Sequence, residues 1–401
     1  ISACLVGSEM CIRDRSNSYA AAIDVSWEPD LWGAVRRQVE ASDASTQASE
    51  ANLAAARLSI QAALAQDYLQ LRAVDREKDL YARTLQAYER TLKLTRSQYD
   101  AGVALRSDVA QAEAQLKTAQ AQAIDLNVSR NQLEHAIAIL TGRAPAQFSL
   151  APLPAGQPWM FRVPEVPTGL PSDLLERRPD IAAAERQVAS ANAGIGVARA
   201  AYFPSLVLSA AGGFGAASFA QWFNAPGRVW SLGAALAETI FDGGLRKARD
   251  AQAVAVFDAS AAQYKQTVLG AFQEVEDNLS TLRVLDDEAR AQDDAVAASR
   301  LSEQLALAQY RAGTTTFLAV ATAQALTLSN ERNAVQLRGR QMVASVALIK
   351  AVGGGWNASA LNAPDAQALA ASGDAPAVKA SAADAAAAGA AAADKPSTQN
   401  E

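Results

Sequence analysis

The residue types most specialised for chemistry, histidine and cysteine, are scarce in this chain: one histidine and two cysteines. The single histidine, His135, sits in a helical run just before Gly142. One imidazole can move a proton, but neither a nucleophile nor an orienting carboxylate is patterned around it. It reads as a surface or interhelical residue. Glu274, Glu276 and Asp277, and then Asp286, Asp287 and Glu288, gather carboxylates on helical sequence. Such groups could act as acids, bases or cation ligands, yet no nucleophile–base pair accompanies them. Solvated helix faces or interhelical ion pairs account for them. Gly212-Gly213-Phe214-Gly215 lacks the lysine and following helix that a phosphate loop needs. Both cysteines, Cys4 and Cys11, fall in the first fifteen residues, so the rest of the chain has no thiolate for a metal site or disulfide framework. The expectation is no catalysis, no cofactor and no metal.

Composition supports a structural role. The chain has 401 residues, only 6% of them aromatic, with a net charge of −6 and a pI near 5.1. No basic block is present, which argues against a nucleic-acid partner. No apolar run is long enough for a transmembrane helix. A membrane β-barrel is not excluded, because its strands alternate and carry a weaker signal.

The elements that would have to position any site are mostly rods. From Ala34 to Tyr99 there is neither proline nor glycine. That stretch predicts roughly 100 Å of helix at ~1.5 Å per residue. Leu64, Tyr68 and Leu71, then Leu85, Tyr88, Leu92 and Tyr99, repeat at coiled-coil spacings. Gly102 supplies a left-handed helix stop. A second helix is expected from about Ser107, its candidate cap, to Leu140. The short turn between them makes a helical hairpin. A proline-rich connector, 143–178, follows. Pro179 then opens a helix to about Tyr202. After Gly244 a second long helix is expected to run to Arg311, interrupted only by Gly270; the chain turns at Gly313 and another helix continues to Val352.

Three segments read as strands. Tyr19, Ala21, Ile23, Val25 and Trp27 alternate with smaller or more polar residues. Leu206, Leu208, Ala210 and Phe214 do the same, as do Trp230, Leu232, Ala234, Leu236 and Ile240. Period two with aromatic ends suits lipid-facing barrel strands. The other reading is a sheet with a core-facing aromatic set in a soluble sandwich.

The chain is internally duplicated. Gly33 and Gly244, Gly102 and Gly313, and Gly142 and Gly353 share one offset of 211 residues (244 − 33, 313 − 102, 353 − 142). Tyr99 and Leu71-Arg72 match Tyr310 and Leu282-Arg283 at the same offset. A constant offset across helix, turn and helix marks a repeated supersecondary unit. The helix after Gly313 (~57 Å) and the helix from Pro179 (~36 Å), stacked end to end, would flank the second long rod. The first unit shows no counterpart of that Pro179 helix and its strand, so a preceding helix and strand are expected to be missing. The resulting division is a foreign leader (1–15), a first repeat (16–142), the connector (143–178), a second repeat (179–353) and a C-terminal segment that is largely a disordered tail (354–401).

Ser26-Trp27-Glu28-Pro29-Asp30-Leu31-Trp32-Gly33 resembles the TolC-like outer-membrane efflux ducts, in particular the OprM/NodT type of lipoprotein. Gly169-Leu170-Pro171-Ser172-Asp173-Leu174-Leu175-Glu176-Arg177-Arg178-Pro179-Asp180-Ile181, Ile240-Phe241-Asp242-Gly243-Gly244 and Gly353-Gly354-Gly355-Trp356 carry the same resemblance. It implies a mainly α fold with a small membrane β part. Long antiparallel coiled-coil helices would form an α-barrel through the periplasm. Each protomer of a homotrimer would add four strands to a shared twelve-stranded outer-membrane barrel, and the connector would be an equatorial belt. Against that pattern, this sequence shows three strands and no lipidated N-terminus. The resemblance also places Ala101-Gly102-Val103 and Ala312-Gly313-Thr314 at the periplasmic tip, where a periplasmic adaptor docks and the entrance constricts. Ala319 and Thr322 stand where many relatives carry aspartates. Asp108 remains, either as a ring of negative charge in a trimer or simply as a helix cap. The implied function is a passive exit duct of a tripartite efflux pump, driven by an inner-membrane transporter. A protein-secretion or metal-ion export duct of the same architecture is the near alternative. A soluble coiled-coil scaffold is the alternative of another class.

Overall fold

The computed structural model describes residues 17–154 and 176–362. The leader, most of the proline-rich connector and the tail beyond residue 362 lie outside the described residues.

Two helices of 67 residues, α1 (Ala34–Asp100) and α4 (Leu245–Arg311), form the rods. Two of 35 residues, α2 (Arg106–Leu140) and α5 (Phe317–Ala351), return from their ends. All four pairs of boundaries differ by the same 211-residue offset as the glycines. A fifth helix, α3 (Pro179–Ala200), begins with proline at its first turn, where the missing N–H costs nothing. Gly270 does not interrupt α4; nothing lies within 4 Å of where its Cβ would be.

The starts of the two rods are satisfied by carboxylates from the short links that lead in from the strands. Gly33 and Gly244 take φ of 79° and 92° at the starts of the rods. Asp30 accepts the N–H groups of Val35 and Arg36 at 3.1 and 2.9 Å. Asp242 accepts those of Gly244 and Arg246, both at 2.9 Å. Each carboxylate meets amides that have no partner inside the helix and faces the positive end of the dipole. Two expected boundaries shift. The cap of α2 is Leu105 rather than Ser107, because the Asp108 carboxylate reaches back to the Leu105 N–H at 3.2 Å. Helix α3 stops at Ala200 rather than Tyr202; Tyr202 and Phe203 close a tighter turn onto the carbonyls of Arg199 and Ala200 before Pro204.

The helices form a layered wall rather than a globule. Helix α1 packs on α2, α3 and α5, and α4 packs on α3 and α5. Thus α3 and α5 both flank the second rod, as their lengths suggested, and both also pack on the first, filling the seam between the two. Close approach depends on small residues: Ala48, Ala51 and Ala193 are fully buried. A Cβ at Gly339 of α5 would stand 2.9 Å from the Ala73 Cβ of α1.

The strands β1 (Tyr19–Trp27), β2 (Ser205–Ala216) and β3 (Arg228–Ala237) make one antiparallel sheet in the order β1-β2-β3. Register sets Trp27 opposite Leu208, Val25 opposite Ala210 and Ile23 opposite Gly212. It also sets Leu208 opposite Ala234, Ala210 opposite Leu232 and Gly212 opposite Trp230. Residues directly opposite share a face. The apolar sets of all three strands therefore lie on one side, with Asp24, Ser26, Ser209 and Ser231 on the other. The last strand is shorter than its alternation suggested. It ends at Ala237, before Ile240, and the Arg246 guanidinium takes the Thr239 carbonyl instead.

Candidate functional site

The two helical turns are built alike. At the end of α1 the Val103 N–H donates to Gln98 O and the Gly102 N–H to Tyr99 O, both at 2.8 Å. At the end of α4 the Thr314 N–H donates to Gln309 O and the Gly313 N–H to Tyr310 O, both at 3.0 Å. Gly102 and Gly313 have φ of 77° and 73°. This is the Schellman stop, which satisfies the last carbonyls and needs a left-handed residue at one position. Ala101, Gly102, Ala312, Gly313 and Thr314 are all exposed, and Val103 is 71% exposed. Leu105 and Leu318 add exposed apolar side chains beside them.

The structure brings the two turns side by side. Tyr310 is buried against Phe317 with ring centroids 5.7 Å apart, and its hydroxyl lies 3.4 Å from Thr95 Oγ1. Gln98 Nε2 donates to the Tyr310 carbonyl at 3.4 Å. Further along, Tyr88 OH donates to Gln324 O, and Gln324 Nε2 to Thr91 Oγ1 at 3.2 Å. Burial pushes the Tyr310 hydroxyl above its ordinary pKa, and the nearby Asp108 carboxylate pushes it in the same direction. Asp108 is half-buried between solvent and this cluster. Its equivalent after the second turn, Ala319, has no carboxylate to offer, and Thr316 caps α5 without a side-chain hydrogen bond.

The residues with chemistry-bearing side chains are dispersed. His135 is exposed on α2. Asp286 and Asp287 pair with Arg290, and Glu288 with Arg340 at 3.7 Å. Glu274 pairs with Arg178 at 2.8 Å, and Asp277 accepts from Gln273. The Gly212–Gly215 run is plain β2 strand. Among the described residues, no group of His, Cys, Asp or Glu is placed to hold a metal ion.

Sequence reasoning missed two ionic clamps, the first buried and the second built on a buried arginine with half-exposed carboxylates. In the first, Asp75 accepts from Arg72 Nη1 at 3.0 Å and from Arg130 Nε at 2.8 Å. Those arginines also hold the carbonyls of Ala151 and Leu150, and Glu134 accepts the Leu150 N–H. The start of the connector is thereby fastened to α1 and α2. Burial pulls the Arg130 guanidinium down, but its bonds to Asp75 and Glu134 outweigh this and the net shift is upward. In the second clamp, Arg178 binds Asp180, Glu274 and the Ala351 carbonyl. Gly353, at φ 97°, passes so close that a Cβ would lie 2.0 Å from Arg177 O. Charged residues at helical spacing opposite a proline-rich segment were the available signal.

Comparisons with known proteins agree with this architecture. Residues 10–143 and 170–354 match the family model described as outer membrane efflux protein. The pyoverdine export outer membrane protein OpmQ of Pseudomonas aeruginosa is 33% identical over 343 residues, covering 86% of this chain and 71% of that protein. The toluene efflux pump outer membrane protein TtgC of Pseudomonas putida is 32% identical over 342 residues, covering 85% and 70%. The solved structure of the outer-membrane channel OprN superposes with a TM-score of 0.79 at 33% identity, covering 85% of this chain and 81% of that one. With its strands on one lipid-suited face, its paired rods and its duplicated turns, the chain belongs to the outer membrane efflux protein family and is the outer-membrane duct of an efflux pump, reaching into the periplasm.

Proposed function

We propose that three copies of this chain assemble into one tube that is passive. Its strands close a shared barrel in the outer membrane, and its rods wall a periplasmic duct. The observation that carries this reading is the sheet. Ile23, Val25, Trp27, Trp230, Leu232 and Leu236, all on one face, are between 58% and 76% exposed. Each would gain about 1.5–3 kcal/mol on full removal from water. A soluble scaffold would bury such a face; lipid does so here. The two open edges of the three-stranded sheet cannot remain unpaired at membrane depth, and neighbouring copies supply the missing partners.

The exposed turns at Ala101-Gly102-Val103 and Ala312-Gly313-Thr314 are the contact for a periplasmic adaptor, which joins the duct to an energised inner-membrane transporter. Asp108, repeated three times around the axis, adds negative charge near the entrance and favours cations. The cargo is a small organic molecule. Relatives named for pyoverdine export and for toluene efflux share nearly the same identity with this chain, which suits a wide wall that does not select its cargo.

Membrane fractionation of cells producing the protein, followed by planar-bilayer conductance, tests the reading. Outer-membrane location, a cross-linked trimer and ion-conducting steps are expected. Cysteines placed at Val103 and Thr314 should cross-link to a co-produced adaptor, while one at exposed Asp294, far up α4, should not. Recovery of the chain as a soluble, non-conducting oligomer would reject the proposal.

A further inference from the structure

The connection between β2 and β3, residues 217–227, lies at the end of the sheet remote from the helices. In a duct whose rods reach into the periplasm, that end is the outer surface. A loop there has two options: to fold across the mouth, or to fold back over the outer wall. The ring contacts decide between them. Phe219 and Trp222 meet Tyr19 at 5.8 and 6.0 Å, and Phe223 meets Phe214 at 5.6 Å. Trp222 and Phe223 also meet, tilted, with centroids 4.9 Å apart. By register, Tyr19 and Phe214 both belong to the apolar, lipid-suited face. The loop is therefore fastened to the outside of the wall. Phe219 and Phe223 remain 69% and 66% exposed there.

One cation accompanies this collar. Arg228 opens β3 directly opposite Phe214, so it stands on the same face as the aromatic rings. It is exposed, and among the described residues its guanidinium has no ion pair or hydrogen bond. A charged residue on a lipid-facing wall is costly at the midplane and tolerable at the boundary. A guanidinium at the boundary, beside amphipathic rings, is suited to a phosphate in forked geometry.

We propose that the 217–227 loop and Arg228 form a docking surface for a phosphorylated glycolipid of the outer leaflet. The acyl region continues along the face carrying Ile23, Trp230 and Leu232. The sugar rests on Phe219 and Phe223, and the phosphate pairs with Arg228. The collar thus fixes the height of the duct in the membrane. This inference rests on the outer-membrane reading above.

The test uses the intact assembled protein in phosphatidylcholine vesicles that contain diphosphoryl lipid A, dephosphorylated lipid A or phosphatidylglycerol. The lipid kept by the protein after detergent exchange is measured. Wild-type protein should retain diphosphoryl lipid A at least several-fold over the other two. Arg228→Gln should abolish that preference and Arg228→Lys should keep part of it. Phe219→Ala with Phe223→Ala should lower retention of both glycolipids. All three changes are on exposed side chains, and recovery of assembled protein checks folding. Equal retention of phosphorylated and dephosphorylated lipid A, equal retention of phosphatidylglycerol, or indifference to Arg228→Gln would overturn the proposal while leaving the duct intact. Failure to insert into any of the vesicles would overturn both.

Discussion

Replacing Asp75 should loosen the junction between the rods and the start of the proline-rich connector. Its carboxylate is 2% exposed and serves two guanidinium groups, at 3.0 Å (Arg72) and 2.8 Å (Arg130). It also lies 3.4 Å from the Leu153 N–H. Removing one member of a buried charge network typically costs about 3–5 kcal/mol, because the others are left uncompensated. Here both arginines keep one neutral acceptor, at 2.8 Å (Ala151 O) and 2.7 Å (Leu150 O), and Arg130 keeps Glu134. The low end applies, so Asp75→Ala should cost about 3 kcal/mol. At ~1.4 kcal/mol per decade that is a more than 100-fold larger open population of the junction. Asp75→Asn keeps an acceptor but not the charge, and should cost about 2 kcal/mol. The duplicated position supplies the control. Asp286 is the repeat equivalent of Asp75, but its side chain is 61% exposed, and its pair with Arg290 is screened by water. Thermal melting of the assembled protein in detergent, with limited proteolysis across residues 148–154, reads both effects. Faster cleavage in Asp75→Ala and none in Asp286→Ala is expected. Equal melting and equal cleavage in the two variants would refute the clamp.

Asp108→Asn and Asp108→Ala separate cap from charge at the start of α2. Both should lower cation preference in planar-bilayer recordings, but only the alanine should also lose about 1 kcal/mol of helix capping; an asparagine variant with unaltered selectivity rejects the charge role. Gly353→Ala should prevent assembly, since its Cβ meets the Arg177 carbonyl at 2.0 Å. Gly102→Ala, with nothing within 4 Å of the new carbon, should cost only the left-handed backbone term of about 1–2 kcal/mol. Similar yields and melting points for those two variants would count against the close approach. The Asp242 carboxyl is held at about 2, below an ordinary 3.8, by the N–H groups of Arg246 and Gly244 and then by the Arg246 guanidinium. A depressed carboxyl contributes fully above the ordinary value and less as acid protonates the folded form. Amide exchange at Gly244 and Arg246 should therefore become less protected as pH falls from 4 toward 2. Asp242→Asn should flatten that dependence, and wild-type protection that stays constant across the window would contradict it.

The sequence by itself determined the rods, the turns and the strand faces. Proline-free runs ended by left-handed glycines set the rod lengths, and those stops at Gly102 and Gly313 leave only one kind of turn. Alternation along β1, β2 and β3 is a property of each strand, and pairing could only align it. Tertiary structure decided which member of each duplicated pair does the work. Tyr99 and Tyr310 are equivalent by sequence, yet Tyr99 is 43% exposed and Tyr310 only 5%. Arg72 and Asp75 are buried in a clamp, while Arg283 and Asp286 face solvent. The reason lies in their neighbours. Phe317, which packs on Tyr310, is replaced by Arg106 in the first unit. For the clamp, α1 packs on α2 as well as on α3 and α5. Arg130 and Glu134, which complete the first clamp, are replaced in the second unit by Gln341 and Ser345. A repeat copies local structure faithfully because local structure depends on nearby residues. Burial depends on what packs alongside, and that differs between the two copies.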